Sequence, residues 1–202
     1  MLTIGLCGGS GSGKGAACEA FLALGIPTID TDAIYHQLTS GPSDCLRALT
    51  AEFGEGIITN GALNRRKLAD IVFAPDASPE LHKRLNSIAH RHILARAREI
   101  SDKYRREGKR AVVIDAPLLF ESGLDAECDV TLAVVADVDK RIERIMARDG
   151  ITKIEAVRRI SNQLPDDYLI SRVDYVITNN GGIDELKKAV FRFVEKILPE
   201  RQ

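Results

Sequence analysis

Short apolar runs alternate with longer amphipathic segments along most of this chain. Runs of this length are typical of strands buried in a parallel sheet, and they occupy residues 2–7, 26–30, 110–115, 129–135 and 174–178. Parallel neighbours need a crossover connection, for which a helix is usual. The alternation therefore predicts an α/β fold in which helices cover both faces of a parallel sheet.

Helical periodicity fills most of the chain between those strands. The predicted helices cover residues 14–24, 33–54 with a break at Gly41-Pro42, 65–73, 79–107, 138–149, 152–163 and 184–198. The T-x-x-E pattern of Thr152 and Glu155 predicts a capping box at one helix start. The Asn60-Gly61 pair predicts a turn within residues 55–63.

Composition narrows the class of protein. The chain has 202 residues, 45% of them hydrophobic and 28% charged, which predicts one globular domain and excludes disordered, collagen-like and rod-like chains. The net charge of -1 predicts neither a nucleic-acid nor a membrane partner. The N-terminal residues lack a leader pattern and no apolar run approaches the ~20 residues of a membrane span, so we expect a cytoplasmic protein.

Three groups of residues carry no function at this stage. The basic residues within 103–110 end a predicted helix, and we expect them to be solvated rather than to bind nucleic acid. The four histidines form no metal-ligand motif, so no zinc site is predicted. The four cysteines are irregularly spaced and are expected to be free thiols; they are Cys7, Cys18, Cys45 and Cys128.

The most informative motif lies between the first predicted strand and the first predicted helix. Residues 8–14, called the phosphate loop below, read GGSGSGK and fit the pattern G-x-x-x-x-G-K. Glycines let backbone N–H groups approach phosphate oxygens, and a lysine adds a mobile positive charge. A flexible Gly/Ser turn is the alternative, which this position between strand and helix disfavours. The predicted ATP-binding residues here are Gly9, Ser10, Gly11, Ser12, Gly13, Lys14, Gly15 and Ala16.

Gly15 departs from the motif, because Ser or Thr is usual at that position and its hydroxyl binds Mg²⁺. Two interpretations stay open. Water can replace the hydroxyl, since Mg²⁺ keeps several waters, and Ser12 is a nearby substitute. Alternatively, the chain is a nucleotide binder with little turnover.

The chain resembles the dephospho-coenzyme A kinases over roughly residues 2–198. The resemblance rests on separated segments that occur in the family's order: GLCGGSGSGKG, IDTDAIYH, GALNRRKLADIVF, AVVIDAPLLFESG, RIERIMARDG and DYVITNNG. Four positions depart from the family pattern. Gly15 stands where the family has Ser, Asn64 where it has Asp, Arg91 where it has Pro, and Arg141 where it has Gln.

The resemblance implies a three-layer α/β/α fold of the P-loop NTPase type, with a parallel five-stranded sheet in a single kinase domain. It implies a core of residues 1–32, 109–139 and 166–202, a helical acceptor-binding region over 33–108, and a helical lid over 140–165. The implied reaction transfers the γ-phosphoryl group of ATP, with Mg²⁺, to the ribose 3′-hydroxyl of dephospho-coenzyme A. This is the last step of coenzyme A biosynthesis, and we expect a monomer or a weak homo-oligomer.

Two carboxylates have candidate roles, that of Asp32 by resemblance and that of Asp115 from its position at a strand end. Asp32 follows the second predicted strand and is the candidate to orient or deprotonate the attacking hydroxyl. Its alternative role is a helix N-cap, a position that Asp30 or Thr31 could also take. Asp115 ends an apolar strand and is the candidate Mg²⁺ residue, directly or through water. Its alternative role is a cap or turn residue before Pro117.

The resemblance implies substrate-binding roles for two further residues, Arg65 and Asn179. Arg65 is the candidate acceptor-binding arginine, and the alternative is a surface arginine at a helix start. Asn179 is expected near the ATP adenine, although Asn-Asn-Gly-Gly is also strong turn chemistry. Pro117, Leu118 and Leu119 are expected to shape the acceptor pocket, with core packing as the alternative.

A row of arginines supplies the predicted lid. Arg141, Arg144 and Arg148 lie on one helix face, where clustered positive charge is costly unless an anion visits. By resemblance, Arg144 and Arg148 neutralise the transferring phosphoryl group. The alternative is a solvated helix partly compensated by Glu143 and Asp149.

Two rival functions remain at this stage. One is another small-molecule kinase, such as a nucleoside monophosphate kinase, against which the PLLFE and DYVITN segments argue. The other is a nucleotide-binding regulatory protein, which Gly15 supports and the presence of Lys14, Asp32 and the lid arginines opposes.

Overall fold

Five strands form the central sheet of the structure, a computed structural model that describes residues 1–199. In chain order the strands are β1 (Leu2–Cys7), β2 (Thr28–Asp30), β3 (Ile58–Thr59), β4 (Ala62–Leu63), β5 (Ala111–Asp115), β6 (Val130–Val135) and β7 (Tyr175–Thr178). The sheet order is β2-β5-β1-β6-β7, and the pairs of β1 with β5, β1 with β6, and β6 with β7 are parallel. The predicted parallel five-stranded fold is confirmed.

The helices follow the predicted pattern closely. They are α1 (Lys14–Ala23), α2 (Thr31–Thr39), α3 (Asp44–Phe53), α4 (Arg65–Val72), α5 (Pro79–Arg106), α6 (Val138–Asp149), α7 (Lys153–Ser161), α8 (Asp166–Ile170) and α9 (Ile183–Ile197). The sequence did not predict α8, because five residues are too few to establish a helical period. It also missed the 3₁₀ turn at Leu124–Glu127.

The chain divides into two compact units. Unit 1 consists of residues 1–29 together with the chain from Lys103 onward, and unit 2 consists of residues 30–102. No helix among residues 1–199 is both long and apolar enough to cross a lipid bilayer.

The core of unit 1 lies between the sheet and the pair α1 and α9. Ile4, Leu6 and Leu132 are fully buried on the strands, because the parallel strands are covered by helices. Phe21 of α1 meets Phe193 of α9 edge-to-face, with ring centroids 6.0 Å apart. This packing holds the first residues of α1 beside the end of β1, and the phosphate loop connects the two.

Unit 2 has a separate small core beneath the β3–β4 hairpin. Its buried members are Cys45, Leu49, Ile57, Leu68 and Val72. The predicted turn is present: Asn60 has φ 52° and Gly61 has φ 77°, the left-handed geometry that favours Asn-Gly in hairpins.

Helices α6 and α7 form a third hydrophobic cluster, built from Ile142, Ile145 and Ala156. The predicted capping box is confirmed at the start of α7. Thr152 Oγ1 accepts from the Glu155 N–H, and Glu155 Oε2 accepts from the Thr152 N–H at 2.8 Å. All of α7 and most of α6 lie within residues 140–165, for which the resemblance implies a lid.

Candidate active site

The phosphate loop has backbone geometry that requires glycine at particular positions. Gly11 has φ 79° and Gly13 has φ 103°, both in the region that side chains disfavour. Gly8 has φ 150°, and a Cβ there would lie 2.3 Å from the Val134 carbonyl oxygen. The loop therefore cannot take ordinary side chains at these positions without moving.

Side chains hold the carbonyl groups of three consecutive loop residues. Arg141 Nε donates to the Ser10 carbonyl at 2.9 Å, and Arg144 Nη1 donates to the Gly11 carbonyl at 3.3 Å. Asn179 Nδ2 donates to the Ser12 carbonyl at 2.7 Å. These contacts fix the loop from the side on which its oxygens lie.

The opposite side of the loop presents N–H groups. In a trans peptide the N–H points away from the carbonyl of the preceding residue. Because the Ser10 and Ser12 carbonyls point toward their side-chain donors, the N–H groups of Gly11 and Gly13 point to the opposite side of the loop. Helix α1 then begins at Lys14, and the N–H groups of a first helical turn have no partner within the helix. Together these groups form an anion nest of the kind that binds phosphate.

Lys14 and Asp115 form an ion pair beside that nest. Their side chains are 17% and 13% exposed. The sheet brings them together, since Asp115 pairs with Leu6 in the register of β5 and β1, one residue before β1 ends. The Cys18 thiol, one turn along α1, donates to the second carboxylate oxygen of Asp115 at 3.5 Å.

The donor set at this point fits Mg²⁺ bound mainly by phosphate and water. Asp115 supplies a carboxylate oxygen, which is the ligand type that Mg²⁺ prefers. Residues 1–199 contain no group of three or more His, Cys, Asp or Glu able to enclose a metal. Mg²⁺ commonly binds through one or two carboxylates with substrate phosphates, so this arrangement suits it.

Neither Gly15 nor Ser12 replaces the usual hydroxyl in this structure. A Cβ on Gly15 would meet nothing within 4 Å, so the space is open. The Ser12 hydroxyl is fully buried, has no hydrogen-bond partner among the described residues, and lies 2.9 Å from the position of a Cβ on Gly8. It is therefore beneath the loop.

The arginines of α6 do not behave as one cluster. The sequence-based treatment of Arg141 as an uncompensated surface charge is wrong, because its side chain is buried and paired with Asp166 at 2.9 Å. Arg144 also donates to the Gly181 carbonyl at 3.2 Å. Arg148 donates to Asp149, at 2.7 Å from its Nε.

Asp149, at the end of α6, forms ion pairs with Arg148 and Arg159. Hydrogen bonds from Arg148, and further ones from Arg159, lower the pKa of Asp149 to about 2. Of the two carboxylates suggested to compensate the arginine row, Asp149 pairs with Arg148, whereas Glu143 pairs with Lys140.

Asn179 contacts the loop from the end of β7. Its side chain is buried, and a Cβ on Gly13 would lie 2.1 Å from its Nδ2. The amide therefore explains why Gly13 has no side chain. The expected proximity of Asn179 to adenine stays a prediction.

Unit 2 carries the remaining charged candidates. Asp32 is exposed in the first turn of α2, and the N-cap of that helix is Asp30, which accepts from the Ala33 N–H at 2.9 Å. The capping alternative therefore applies to Asp30. Arg65 begins α4, with its guanidinium carbon 5.9 Å from the Tyr35 ring centroid, and burial raises the pKa of Tyr35.

The three apolar acceptor candidates differ in exposure. Leu118 is exposed and Pro117 is half-buried, so both can meet a ligand. Leu119 is fully buried and lies close enough to Gly5 that a Cβ there would be 3.1 Å from it. Core packing, the alternative stated from the sequence, describes Leu119 in this structure.

The four cysteines are free thiols. Burial raises the pKa of Cys7 to about 12 and that of Cys128 to about 12, so both stay protonated near neutral pH.

Comparison with known proteins decides the family. The family model described as dephospho-CoA kinase matches residues 2–185. A dephospho-CoA kinase of Lactobacillus johnsonii is 39% identical over 195 residues, covering 96% of this chain and 97% of that protein. The chain belongs to the dephospho-CoA kinase family.

Solved structures support the same fold. A crystal structure from Thermus thermophilus superposes with a TM-score of 0.80 at 30% identity and covers 98% of each chain. The dephospho-CoA kinase of Campylobacter jejuni gives a TM-score of 0.68 at 22% identity and covers 96% of each chain.

In this dephospho-CoA kinase family member, sequence reasoning missed one residue that contacts the phosphate loop and one that contacts Arg141. Gln163 Oε1 accepts from the Ser10 N–H at 2.8 Å, and Asp166 pairs with Arg141. Gln163 follows α7, and Asp166 is the first residue of α8. No sequence signal identified either residue, because the burial of Arg141, which requires a carboxylate partner, is visible only in the structure.

Proposed function

We propose that this chain transfers the γ-phosphoryl group of ATP to the ribose 3′-hydroxyl of dephospho-coenzyme A, giving coenzyme A and ADP. The observation that carries this proposal is the formed phosphate loop, with Lys14 and Asp115 in place, in a chain that belongs to the dephospho-CoA kinase family. Phosphoryl transfer depends mainly on positioning and on neutralising charge, and this site provides groups for both.

The phosphate loop binds the nucleotide phosphates. The N–H groups of Gly11, Gly13 and the first turn of α1 face the phosphate oxygens, with Ser10 and Ser12 held from behind. In this proposal Lys14 exchanges its contact with Asp115 for one with the phosphate oxygens. Gly9, Gly15 and Ala16 complete the backbone of the nucleotide site.

Asp115 would hold Mg²⁺, directly or through water. The metal, when bound with ATP, supplies positive charge to the phosphate oxygens. Asp115 is suited to this because it ends a buried strand and its position is set by the register with β1.

Asp32 takes the proton of the acceptor hydroxyl. A bond forms between the 3′-oxygen and the γ-phosphorus, and the bond between the γ-phosphorus and the oxygen that bridges it to the β-phosphate breaks. The hydroxyl proton moves to the Asp32 carboxylate. Asp32 is exposed in the first turn of α2, which supports this role. Arg65, Pro117 and Leu118 bind the acceptor, the arginine through its diphosphate oxygens.

Residues 140–165 act as a lid that brings Arg144 and Arg148 to the transferring phosphoryl group. The hydrophobic cluster shared by α6 and α7 lets this segment keep its own structure. Closure would exclude water and suppress hydrolysis of ATP. The rest of the proposed division consists of a core, residues 1–32, 109–139 and 166–202, and an acceptor region, residues 33–108. The proposed protein is cytoplasmic and is a monomer or a weak homo-oligomer.

The test is ADP release from ATP and Mg²⁺, with dephospho-coenzyme A or AMP as acceptor and the product identified by mass. We expect turnover only with dephospho-coenzyme A. Lys14→Ala should lower kcat by about a hundredfold or more, since it removes charge at the phosphates. Asp32→Asn should lower kcat by ~10²–10⁴ with little change in the KM for ATP.

Matched controls are Lys109→Ala and Asp184→Asn, which remove exposed charges of the same types outside the proposed acceptor region and lid. Both should retain the wild-type kcat. Binding of ATP without turnover on any acceptor would refute the kinase proposal and favour a regulatory nucleotide binder. Turnover with AMP alone would favour a nucleotide kinase.

A further inference from the structure

Every polar group of Ser10 contacts a side chain from the α6–α8 region. Its N–H donates to Gln163 Oε1 at 2.8 Å, and its carbonyl accepts from Arg141 Nε at 2.9 Å. Its hydroxyl accepts from Arg148 Nη2 at 3.4 Å. Ser10 is thus the point at which this region holds the phosphate loop.

Arg141 is the central member of this group. It is 2% exposed, and each of its three nitrogens has a different partner. Nε contacts the Ser10 carbonyl, Nη1 contacts Asp166 at 2.9 Å, and Nη2 contacts Gln163 Oε1 at 3.0 Å. Because Gln163 also accepts from the Ser10 N–H, one Arg–Gln pair binds both backbone groups of Ser10.

Two loop glycines are shaped by Arg141. A Cβ on Gly9 would lie 2.2 Å from Arg141 Nη2, and a Cβ on Gly11 would lie 2.6 Å from the Arg141 backbone oxygen. The part of the phosphate loop from Gly9 to Gly11 therefore packs directly against Arg141. Contact this close transmits any movement of Arg141 to the loop, since packed protein interiors deform little.

We propose that Arg141, held by Asp166 and Gln163, is a positioning residue for the phosphate loop. It fixes the Ser10 carbonyl, and thereby directs the Gly11 N–H toward the nucleotide phosphates. The inference rests on the proposed function, because the phosphates it prepares the loop for are those of ATP. Arg141 touches neither ATP nor the acceptor in this role.

The three contacts of Arg141 require arginine in this chain, although the family pattern has glutamine at this position. A guanidinium offers several donors in a rigid plane, whereas the ammonium of lysine is a point charge. Arg141→Lys keeps the charge opposite Asp166 but loses the simultaneous contacts with Ser10 and Gln163. Gln163→Ala removes the acceptor of the Ser10 N–H at an exposed position, so this variant should fold even if the arginine variants do not.

The first experiment measures ATP binding by calorimetry without acceptor, together with kcat, both KM values and the thermal midpoint. Arg141→Lys should raise the Kd for ATP on the order of tenfold, since a hydrogen bond from a charged donor is lost. The KM for dephospho-coenzyme A should change less than twofold. Gln163→Ala should move the Kd for ATP in the same direction. Lys187→Gln, which removes an exposed positive charge from α9, outside the proposed lid, is the control and should change neither constant.

A double variant distinguishes an effect of Arg141 on the position of the phosphate loop from an effect on the stability of the whole protein. Arg141→Gln leaves the Asp166 carboxylate without its cation, and should lower both the thermal midpoint and ATP affinity. Adding Asp166→Asn removes that unpaired charge, so the double variant should recover much of the thermal midpoint. ATP affinity should stay low, because glutamine does not restore the same hold on Ser10.

Two results would overturn the inference alone. One is a wild-type Kd for ATP in folded Arg141→Lys and Gln163→Ala, and the other is recovery of ATP affinity together with stability in the double variant. If wild-type protein itself neither binds ATP nor turns over, the proposed function fails, and the inference fails with it.

Discussion

At the scale of single residues, the structure requires glycine at some positions in and next to the phosphate loop but not at others. Gly11 and Gly13 combine positive φ with close neighbours, namely the backbone of Arg141 and the amide of Asn179. Gly15 has neither restriction, because a Cβ there meets nothing within 4 Å and its φ is not positive. The missing hydroxyl at this position is therefore not imposed by the surrounding structure.

Gly15→Ser should restore a metal ligand without disturbing the loop. We expect the Mg²⁺ concentration for half-maximal turnover to fall several-fold, because a hydroxyl at this position can bind the metal. Gly15→Ala is the control. It should stabilise α1 by up to about 1 kcal/mol through helix propensity and leave the Mg²⁺ dependence unchanged.

The measurement is a Mg²⁺ titration at fixed ATP, supported by calorimetric binding of ATP with and without the metal. Equal metal dependence in the serine and alanine variants would show that the position does not approach Mg²⁺. The thermal midpoints separate the helix effect from the metal effect.

At the scale of elements, helix starts explain a second departure from the family pattern. Asn64 is the N-cap of α4, where its Oδ1 accepts from the Lys67 N–H at 3.1 Å. Aspartate and asparagine cap helices about equally well. The exchange at this position therefore preserves the start of the helix that presents Arg65.

Asn64→Asp should leave the free energy of unfolding within about 0.5 kcal/mol of wild type, because the cap is retained. Asn64→Ala should lower it by about 1 kcal/mol. Urea unfolding measures both. If Asp lowers stability as much as Ala, the contact of Asn64 Nδ2 with Thr59 Oγ1, at 3.2 Å, outweighs the cap.

At the scale of the whole molecule, the two compact units have separate hydrophobic cores. Helix α5 of unit 2 carries His90, whose pKa is lowered by burial and by the nearby His82. Burial also lowers the pKa of His92. The unfolded chain then binds protons more readily than the folded chain, so acid favours unfolding.

The stability associated with His90 is present above its unfolded pKa of about 6.5 and is lost as pH falls through the lower folded value. His90→Gln should therefore reduce the loss of unfolding free energy when pH falls from about 7.5 to about 5.5. Urea unfolding across this range measures the slope. His92→Gln should act in the same direction, and an unchanged slope in the double variant would contradict the assignment.

The sequence determined the parts of this protein that depend on neighbouring residues. Strand and helix periodicity, the capping box at Thr152, the Asn60-Gly61 turn and the loop ending at Lys14 are all local patterns. Backbone geometry relates such patterns directly to helices, strands and turns, which is why the alternation of strands and helices and the phosphate loop could be predicted. The predicted helix over 138–149 even has the observed boundaries.

Only the tertiary structure decided how distant side chains pair. Arg141 meets Asp166 across 25 residues and the Ser10 carbonyl across 131. Asn179 reaches Ser12 across 167 residues, and Leu119 is buried although its neighbour Leu118 is exposed. Such contacts depend on how whole elements pack, and packing is set by the summed burial of many residues rather than by a local period.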